Sequence, residues 1–420
     1  MNNIRLCLLD LLRRTEQKNL YEKNMQVLHI SKKNILDYWA KAKNEIVNFH
    51  IANNKEYAAL LEAKGVDLKN WKFEDLPILT KKDLSTKMAV TSEIFKWSHT
   101  GGSSGNPFSY PLSKKAASAL WPNLWRAFSV CGIKPCDHVM MIAGPSLFNN
   151  RSFKRKIFDF INRFTVVSAF DLNDDVLQAA VEKIKKGKIK AIYGYTSSVL
   201  VFLEYLAARR EHLSLKGIFT TSETFIPKVR SLAKEYCNCE VIDIYGANDG
   251  GICAFECKAH QGYHISFERT FLEIVDHKII LTDLYNTAFP FIRYEVGDMT
   301  SSEQVEMDSC ECGCNLFRIQ NIAGRINSYI TDLDGAKIHT EFFSHIFHDD
   351  PLIEQYQITD GKNTIVVNVH CEETNKVELE TKYLSLVQQR FKKNVSFDFN
   401  KPFVRLKNQK TPILVQSLNN

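Results

Sequence analysis

Two groups of residues in this 420-residue chain could do chemistry. The first is the stretch SHTGGSSGNP at 98–107. Gly101, Gly102 and Gly105 free the backbone to turn N–H groups inward, and Thr100, Ser103 and Ser104 add hydroxyl donors before Pro107 stiffens the exit. Such a cradle suits an anion such as phosphate. No lysine follows the last glycine, so this is not the GxxxxGK[ST] phosphate loop, and alone the stretch reads equally as a linker or a plain turn. The second group is thiols and imidazoles: Cys253, Cys257, His260 and His264 in CAFECKAHQGYH, then Cys310, Cys312 and Cys314 in CECGC. Thiolates and imidazoles gathered from two loops fit tetrahedral zinc. The C-x-C spacing is tighter than the common C-x-x-C, and reduced cysteines without metal are the alternative.

These groups need a scaffold. Residues 1–70 read as charged helices. From about 137 to 250, the apolar runs HVMMIAG, FTVVSAF, IKAIYGY, LKGIFTT and CEVIDIYG alternate with helical stretches such as DDVLQAAVEKIKK. That alternation predicts a mostly parallel α/β sheet. The lysines from Lys183 to Lys190 close a helix before Gly187, where cations suit the carbonyl end. From about 263 to 300 the texture is antiparallel, with a hairpin turning at Asp276-His277 and a strand in FIRYEVGDMTS. After Gly324 a smaller unit follows: a turn at Asp334-Gly335, a helix in TEFFSHIF, a hairpin around Asp360-Gly361, a helix in VELETKYLSLVQQRF and a last strand, VSFDF.

Composition bounds the rest. Hydrophobic residues make up 45% and charged residues 24%, ordinary for a soluble globular protein. A net charge of +6, from 54 basic and 48 acidic residues, is too small and too mixed to point to nucleic acid. No apolar run reaches the roughly 18 residues that span a bilayer, and MNNIRLCLLDLLRRTEQ reads as a short amphipathic helix rather than a signal peptide. Eleven cysteines without an export signal argue against a disulfide scaffold and for a cytoplasmic protein.

Four stretches then stand in order: the loop at 99–107, DIYGANDGG at 243–251, RYEVGD at 293–298 with Asp298 at a strand end, and IAGRINSYI at 322–330. Together with LPILTKKDL, IYGYTSSVL and TTSETF, this order resembles the adenylate-forming superfamily, in its branch of phenylacetate–CoA ligases and related capsule-biosynthesis proteins. The resemblance covers the chain from about residue 70 onward. It implies a large α/β domain over 1–323, with mostly parallel sheets, a β-rich subdomain and an N-terminal helical region. A small mobile C-terminal α+β domain over 324–420 would follow, hinged near Asn327.

The resemblance also implies roles. ATP is the nucleotide: the loop at 100–107 holds its phosphates through Thr100, Gly101, Gly102, Ser103, Ser104 and Gly105, with Asn106 where many relatives carry lysine. Tyr245 stacks on adenine, Asp298 binds both ribose hydroxyls as a bidentate acceptor, and Arg325 meets ribose or phosphate. Ser222, Glu223, Asp243, Gly246 and Asn248 complete the nucleotide site. Asp249 falls where relatives carry the glutamate that holds Mg²⁺, one methylene shorter. Lys410 in RLKNQKTPILV matches the lysine that reaches the α-phosphate during adenylation, where negative charge builds. For zinc, the branch's pattern selects Cys257, His264, Cys310 and Cys312, a closed structural site. The implied reaction joins a small carboxylic acid to ATP, expels pyrophosphate and passes the acyl group to a thiol, coenzyme A first among them. The alternatives are a carrier-protein phosphopantetheine or an amine as acceptor, and, in another class, a non-catalytic zinc-bearing binding module. The resemblance also hints at a surface-polysaccharide pathway; the oligomeric state stays open, a homodimer being one option.

Overall fold

The computed structural model describes residues 2–99, 108–143, 153–169, 172–222, 225–320, 322–323, 329–339, 341–347, 350, 352–353, 355–404 and 414–416. They fall into two compact units, the second made mainly of residues after 325.

The first unit opens with four helices: α1 (Asn2–Arg13), α2 (Gln17–Gln26), α3 (Lys32–Asn53) and α4 (Lys55–Ala63). Side-chain oxygens start the last two, with Ser31 accepting from the Asn34 N–H and Asn54 from that of Tyr57; each cap satisfies a donor the helix cannot. A short ribbon, β1 (Lys96–His99) and β2 (Ser109–Leu112), leads into α5 (Lys114–Ser129). Then come β3 (Val139–Ala143), α6 (Phe153–Asn162), β4 (Phe164–Ser168), α7 (Asp174–Lys185), β5 (Ala191–Tyr195), α8 (Thr196–Arg209), β6 (Gly217–Thr221), α9 (Lys228–Cys237) and β7 (Glu240–Ala247).

The five apolar runs are thus β3 to β7, all mutually parallel. The inner strands are buried on both faces and so are mostly apolar, while the edge strand β4 is only partly buried. One face is covered by α7, α8 and α9 through Leu177, Val181, Phe202, Leu206 and Val229. On α5, Phe128 packs 4.4 Å from Phe219 and 5.4 Å from Tyr193, ring centre to ring centre. Fully burying one such side chain contributes about 1.5–3 kcal/mol.

The sheet does not stop at β7. Three antiparallel strands, β8 (Ile252–Glu256), β9 (Tyr263–Ile265) and, beyond a second β-rich layer, β13 (Arg318–Ile319), extend it to eight strands in the order β13-β9-β8-β7-β6-β5-β3-β4. That second layer is β10 (Thr270–Val275), β11 (Lys278–Asp283), β12 (Tyr294–Thr300) and, after β13, β14 (Ile322–Ala323). The β10–β11 hairpin turns at Asp276 and His277, with φ of 50° and 61°, the paired positive values of a tight two-residue hairpin. The N-terminal helices pack here: the Trp39 ring lies 5.0 Å from Phe271 and its indole N–H donates to the Phe267 carbonyl at 3.0 Å.

Asp298 stands inside β12, not at its end, which corrects the sequence reading. The register slips between Lys278↔Met299 and Ile280↔Glu295, and Gly297 takes φ 92° in the slipped segment. A bulge lets the strand run on past the carboxylate while re-aiming it.

The second unit contains a hairpin of β15 (Tyr329–Thr331) and β16 (Lys337–His339), closed by Gly335 at φ 84°. After α10 (Glu341–Phe347), β17 (Gln355–Asp360) and β18 (Thr364–His370) pair antiparallel; α11 (Lys376–Phe391) then carries the chain to β19 (Asn394–Phe399), parallel to β18. VSFDF is not the last strand: β20 (Leu414–Gln416) pairs parallel with β17 on the other edge. Phe343, Ile358, Val367, Leu379 and Phe391 form this unit's own core.

Candidate active site and metal centre

Strand β7 presents Asp243 and Tyr245 on one face, two residues apart. The turn that follows, Asn248 to Gly251, is pressed against β11. A Cβ at Gly250 would lie 2.8 Å from Leu281 Cδ1, and one at Gly251 2.6 Å from Arg269 Nε; both glycines have positive φ. Only glycine fits at either position, so the two residues that follow Asp249 are held by close packing against Leu281, Arg269 and Asp283.

Four predicted residues converge there. The Tyr245 hydroxyl donates to Asp298 Oδ2 at 2.8 Å, joining β7 to the bulge of β12. Asp249 is nearly buried; its Oδ2 accepts from the Tyr294 hydroxyl at 3.1 Å and lies 3.9 Å from Lys81 Nζ. Asn248 Nδ2 donates to Ser98 Oγ at 3.1 Å, at the threshold of the glycine-rich stretch. An aromatic face beside a carboxylate can take a base and its sugar diol, and a second carboxylate nearby can hold a divalent cation.

Asp243 sits deeper. Its two oxygens accept from Thr220 Oγ1 at 2.5 Å and from the Tyr263 hydroxyl at 2.7 Å, while its backbone N–H donates to Glu256 Oε2 at 3.0 Å. Burial pushes its carboxyl up to about 7, against the two hydrogen bonds that pull it down. Its side chain therefore braces β6, β7 and β9. Ser222, with φ 69°, follows β6 directly. Thr100 to Gly105, Glu223, Arg325, the Asn327 hinge and Lys410 lie outside the described residues.

The second cluster lies at the antiparallel end of the same sheet. Cys257 follows β8, His264 is in β9, and Cys310 and Cys312 come from the loop before β13, whose Arg318 pairs with His264. The four ligand atoms lie within 4.8 Å of one another. Cys257 Sγ and Cys310 Sγ are 3.6 Å apart, and Cys312 Sγ and His264 Nε2 3.5 Å. Tetrahedral zinc with ordinary bond lengths separates two sulfurs by about 3.8 Å and a sulfur from a nitrogen by about 3.5 Å, so the donors fit that ion. Burial pushes His264 down to about 4, keeping the imidazole neutral. Its Nδ1 faces the Leu316 carbonyl at 3.2 Å, which places the proton there and turns the Nε2 lone pair to the thiols, the outer-shell arrangement of metal-binding histidines. The surplus residues are used elsewhere. His260 Nδ1 lies 3.0 Å from Arg230 Nη2, Cys253 is buried within β8, and Cys314 gives its backbone N–H to Cys312 Sγ at 3.4 Å.

No family model matches the chain. It is 22% identical over 387 residues to Protein CapK of Staphylococcus aureus, covering 84% of this chain and 83% of that one. It is 23% identical over 328 residues to the phenylacetate-coenzyme A ligase of Thermus thermophilus, covering 72% and 73%. Among solved structures it superposes on 2-hydroxyisobutyryl-CoA ligase, in complex with 2-HIB-AMP and CoA in the thioesterification state. The TM-score is 0.58 at 18% identity, covering 91% and 90% of the two chains. The chain thus shares the fold of an adenylate-forming ligase and is similar in sequence to such proteins over most of its length.

The structure adds groups that motif reading left out. Lys81 and Tyr294 flank Asp249, and Tyr263 braces Asp243. Both flanking residues stand inside quoted stretches, LPILTKKDL and RYEVGD, so their sequence signal was the motif and not their own chemistry. Among the described residues, no helix is long and apolar enough to cross a membrane.

Proposed function

We propose that the chain is an ATP-dependent acid–thiol ligase that activates a small carboxylic acid as its acyl-adenylate and transfers the acyl group to coenzyme A. The contact between Tyr245 and Asp298 carries this reading, because it puts the aromatic residue and the carboxylate of two separate motifs at one place. In the first half-reaction the substrate carboxylate attacks the α-phosphorus and pyrophosphate leaves with the bonding electrons. In the second, the thiolate sulfur attacks the acyl carbon and AMP leaves.

The residues divide the work. Tyr245 stacks on the adenine, and Asp298 accepts from the ribose hydroxyls. Ser222, Glu223, Asp243, Gly246, Asn248 and Arg325 complete the nucleotide site, Asp243 by bracing the strand that carries Tyr245. The loop from Thr100 to Gly105 receives the phosphates. Asp249 is the residue to hold Mg²⁺, whose charge offsets that of the departing pyrophosphate. Lys410 is the catalytic cation, and Asn327 lies at the hinge between domains 1–323 and 324–420. Cys257, His264, Cys310 and Cys312 hold a structural zinc. The resemblance to capsule-biosynthesis proteins favours a place in surface-polysaccharide synthesis.

Pyrophosphate release that depends on an added carboxylic acid tests the reading, with hydroxylamine trapping of the adenylate across a panel of acids to find the substrate. Absence of release with every acid would overturn it. Omitting coenzyme A and supplying a phosphopantetheinylated carrier or an amine then identifies the acceptor. Asp298→Ala removes the charged acceptor for the ribose hydroxyls and should weaken ATP binding by about 1.5–3 kcal/mol, as for a hydrogen bond to a charged group. Calorimetric titration checks this; unchanged affinity in a folded variant means that RYEVGD does not meet the ribose.

A further inference from the structure

Helices α1 and α6 turn large apolar side chains to solvent. On α1, Ile4, Leu11 and Leu12 are 72%, 75% and 55% exposed, while Leu6 and Leu9 are buried beneath them. On α6, Phe153 and Phe160 are 77% and 75% exposed. Their spacing of seven residues places them on one helix face. The helices are tied together. Arg5 Nη1 donates to the carbonyls of Phe160 at 3.2 Å and Ile161 at 3.0 Å, and the Arg5 guanidinium lies 5.8 Å from the centre of the Phe160 ring. At the other end, Arg13 lies over the ring of Phe158 at 4.7 Å. Grouped exposed side chains of this size mark an interaction surface.

Charge decides what it meets. Residues 2–14 and 153–163 contain seven basic and two acidic residues, a net of +5, where the whole chain carries +6. Both acids are engaged locally: Asp10 accepts from the backbone N–H groups of Gln17 at 2.7 Å and Lys18 at 2.9 Å, and Asp159 from Arg155 Nε at 3.1 Å. Arg14 and Lys156 are exposed beside the apolar stripes. A second copy of this chain docking by the same face would bring two basic surfaces together. An anionic bilayer supplies the opposite charge and accepts the apolar side chains at its headgroup boundary. We infer that α1 and α6 form a peripheral docking face for an anionic membrane surface, lying on it with leucine and phenylalanine side chains inserted.

The full-length protein is sedimented with vesicles of phosphatidylcholine, alone or mixed with phosphatidylserine. Partition should be at least tenfold stronger to the anionic vesicles and should collapse in about 1 M salt, where screening shortens to about 3 Å. Each basic residue near such a surface contributes about 1 kcal/mol, roughly fivefold, so Arg14→Gln with Lys156→Gln should weaken partition by about 25-fold. Leu11→Ser with Phe160→Ser should weaken it at unchanged charge. All four sites are exposed, so unaltered unfolding midpoints confirm that these variants are folded. Equal binding to both vesicle types, no binding to either, or unchanged binding by both double variants would overturn the inference. So would a concentration-dependent dimer that the same substitutions break.

Discussion

Lys410→Ala should slow carboxylate-dependent pyrophosphate release by about 10²–10³, while a supplied acyl-adenylate still reacts with coenzyme A at close to the unaltered rate. The asymmetry follows from where charge accumulates. As the acid oxygen approaches the α-phosphorus and pyrophosphate departs, the α-phosphate crowds with negative oxygens, and a preorganised ammonium group lowers that barrier most. In the thioester step the phosphate is a leaving group already bonded as AMP, and the domain carrying Lys410 is proposed to have rotated away about Asn327. Quenched-flow measurement of pyrophosphate and of thioester from presynthesised adenylate separates the steps. Lys407→Ala is the control and should slow neither. If Lys407→Ala is the crippled variant, the tail lysine is assigned three residues too late. If neither substitution slows adenylation, the closing movement proposed for the small domain does not occur.

Removing the metal should have the larger effect on stability. Purified protein should carry about one zinc per chain, and Cys310→Ser should lose it. In zinc-finger peptides the apparent binding free energy of structural zinc is about 10–16 kcal/mol at pH 7. A site that ties the β8–β9 segment to the loop before β13 should therefore cost the fold on the order of 5 kcal/mol when one thiolate is lost. Metal analysis and thermal unfolding measure both quantities. Cys253→Ser is the internal contrast: it lies outside the cluster, so its zinc content should be unchanged. Protein purified without chelators and found free of zinc would remove the metal and leave the ligase reading standing. A zinc held by these four protein ligands would have no open position and so would activate no water.

The parallel half of the large sheet was legible because its inner strands are buried on both faces and so are mostly apolar. The antiparallel half was not. Strands β8, β9 and β13 are short, and Glu256, His264 and Arg318 interrupt them with polar side chains that are buried and hydrogen-bonded to backbone. Their residues therefore read as metal loops, which they also flank. Strand β20 has three described residues, and its pairing with β17 is parallel and remote, invisible to any local period. At the candidate site, Tyr245, Asp249 and Asp298 were singled out through motifs. The bulge that aims Asp298 depends on Gly297 and on register against β11, a two-strand property that no single stretch encodes. Asp243 was singled out by its motif alone, and its bonds to Thr220 on β6 and Tyr263 on β9 had no sequence signal.

The way the N-terminal helices are anchored sets a timetable for making the protein. Tyr38 donates to the carbonyl of Glu268, Trp39 to that of Phe267, and His50 meets that of Asn286, at separations of 230, 228 and 236 residues. A ribosome adding about 5–20 residues per second needs roughly 10–50 s to supply those partners. Through that interval α3 emerges with Trp39, Ile46 and Val47 uncovered. Nascent chains should therefore bind holdase chaperones until residue 286 has left the exit tunnel, and release from them should coincide with the appearance of β10 and β11 rather than with completion of the helices themselves.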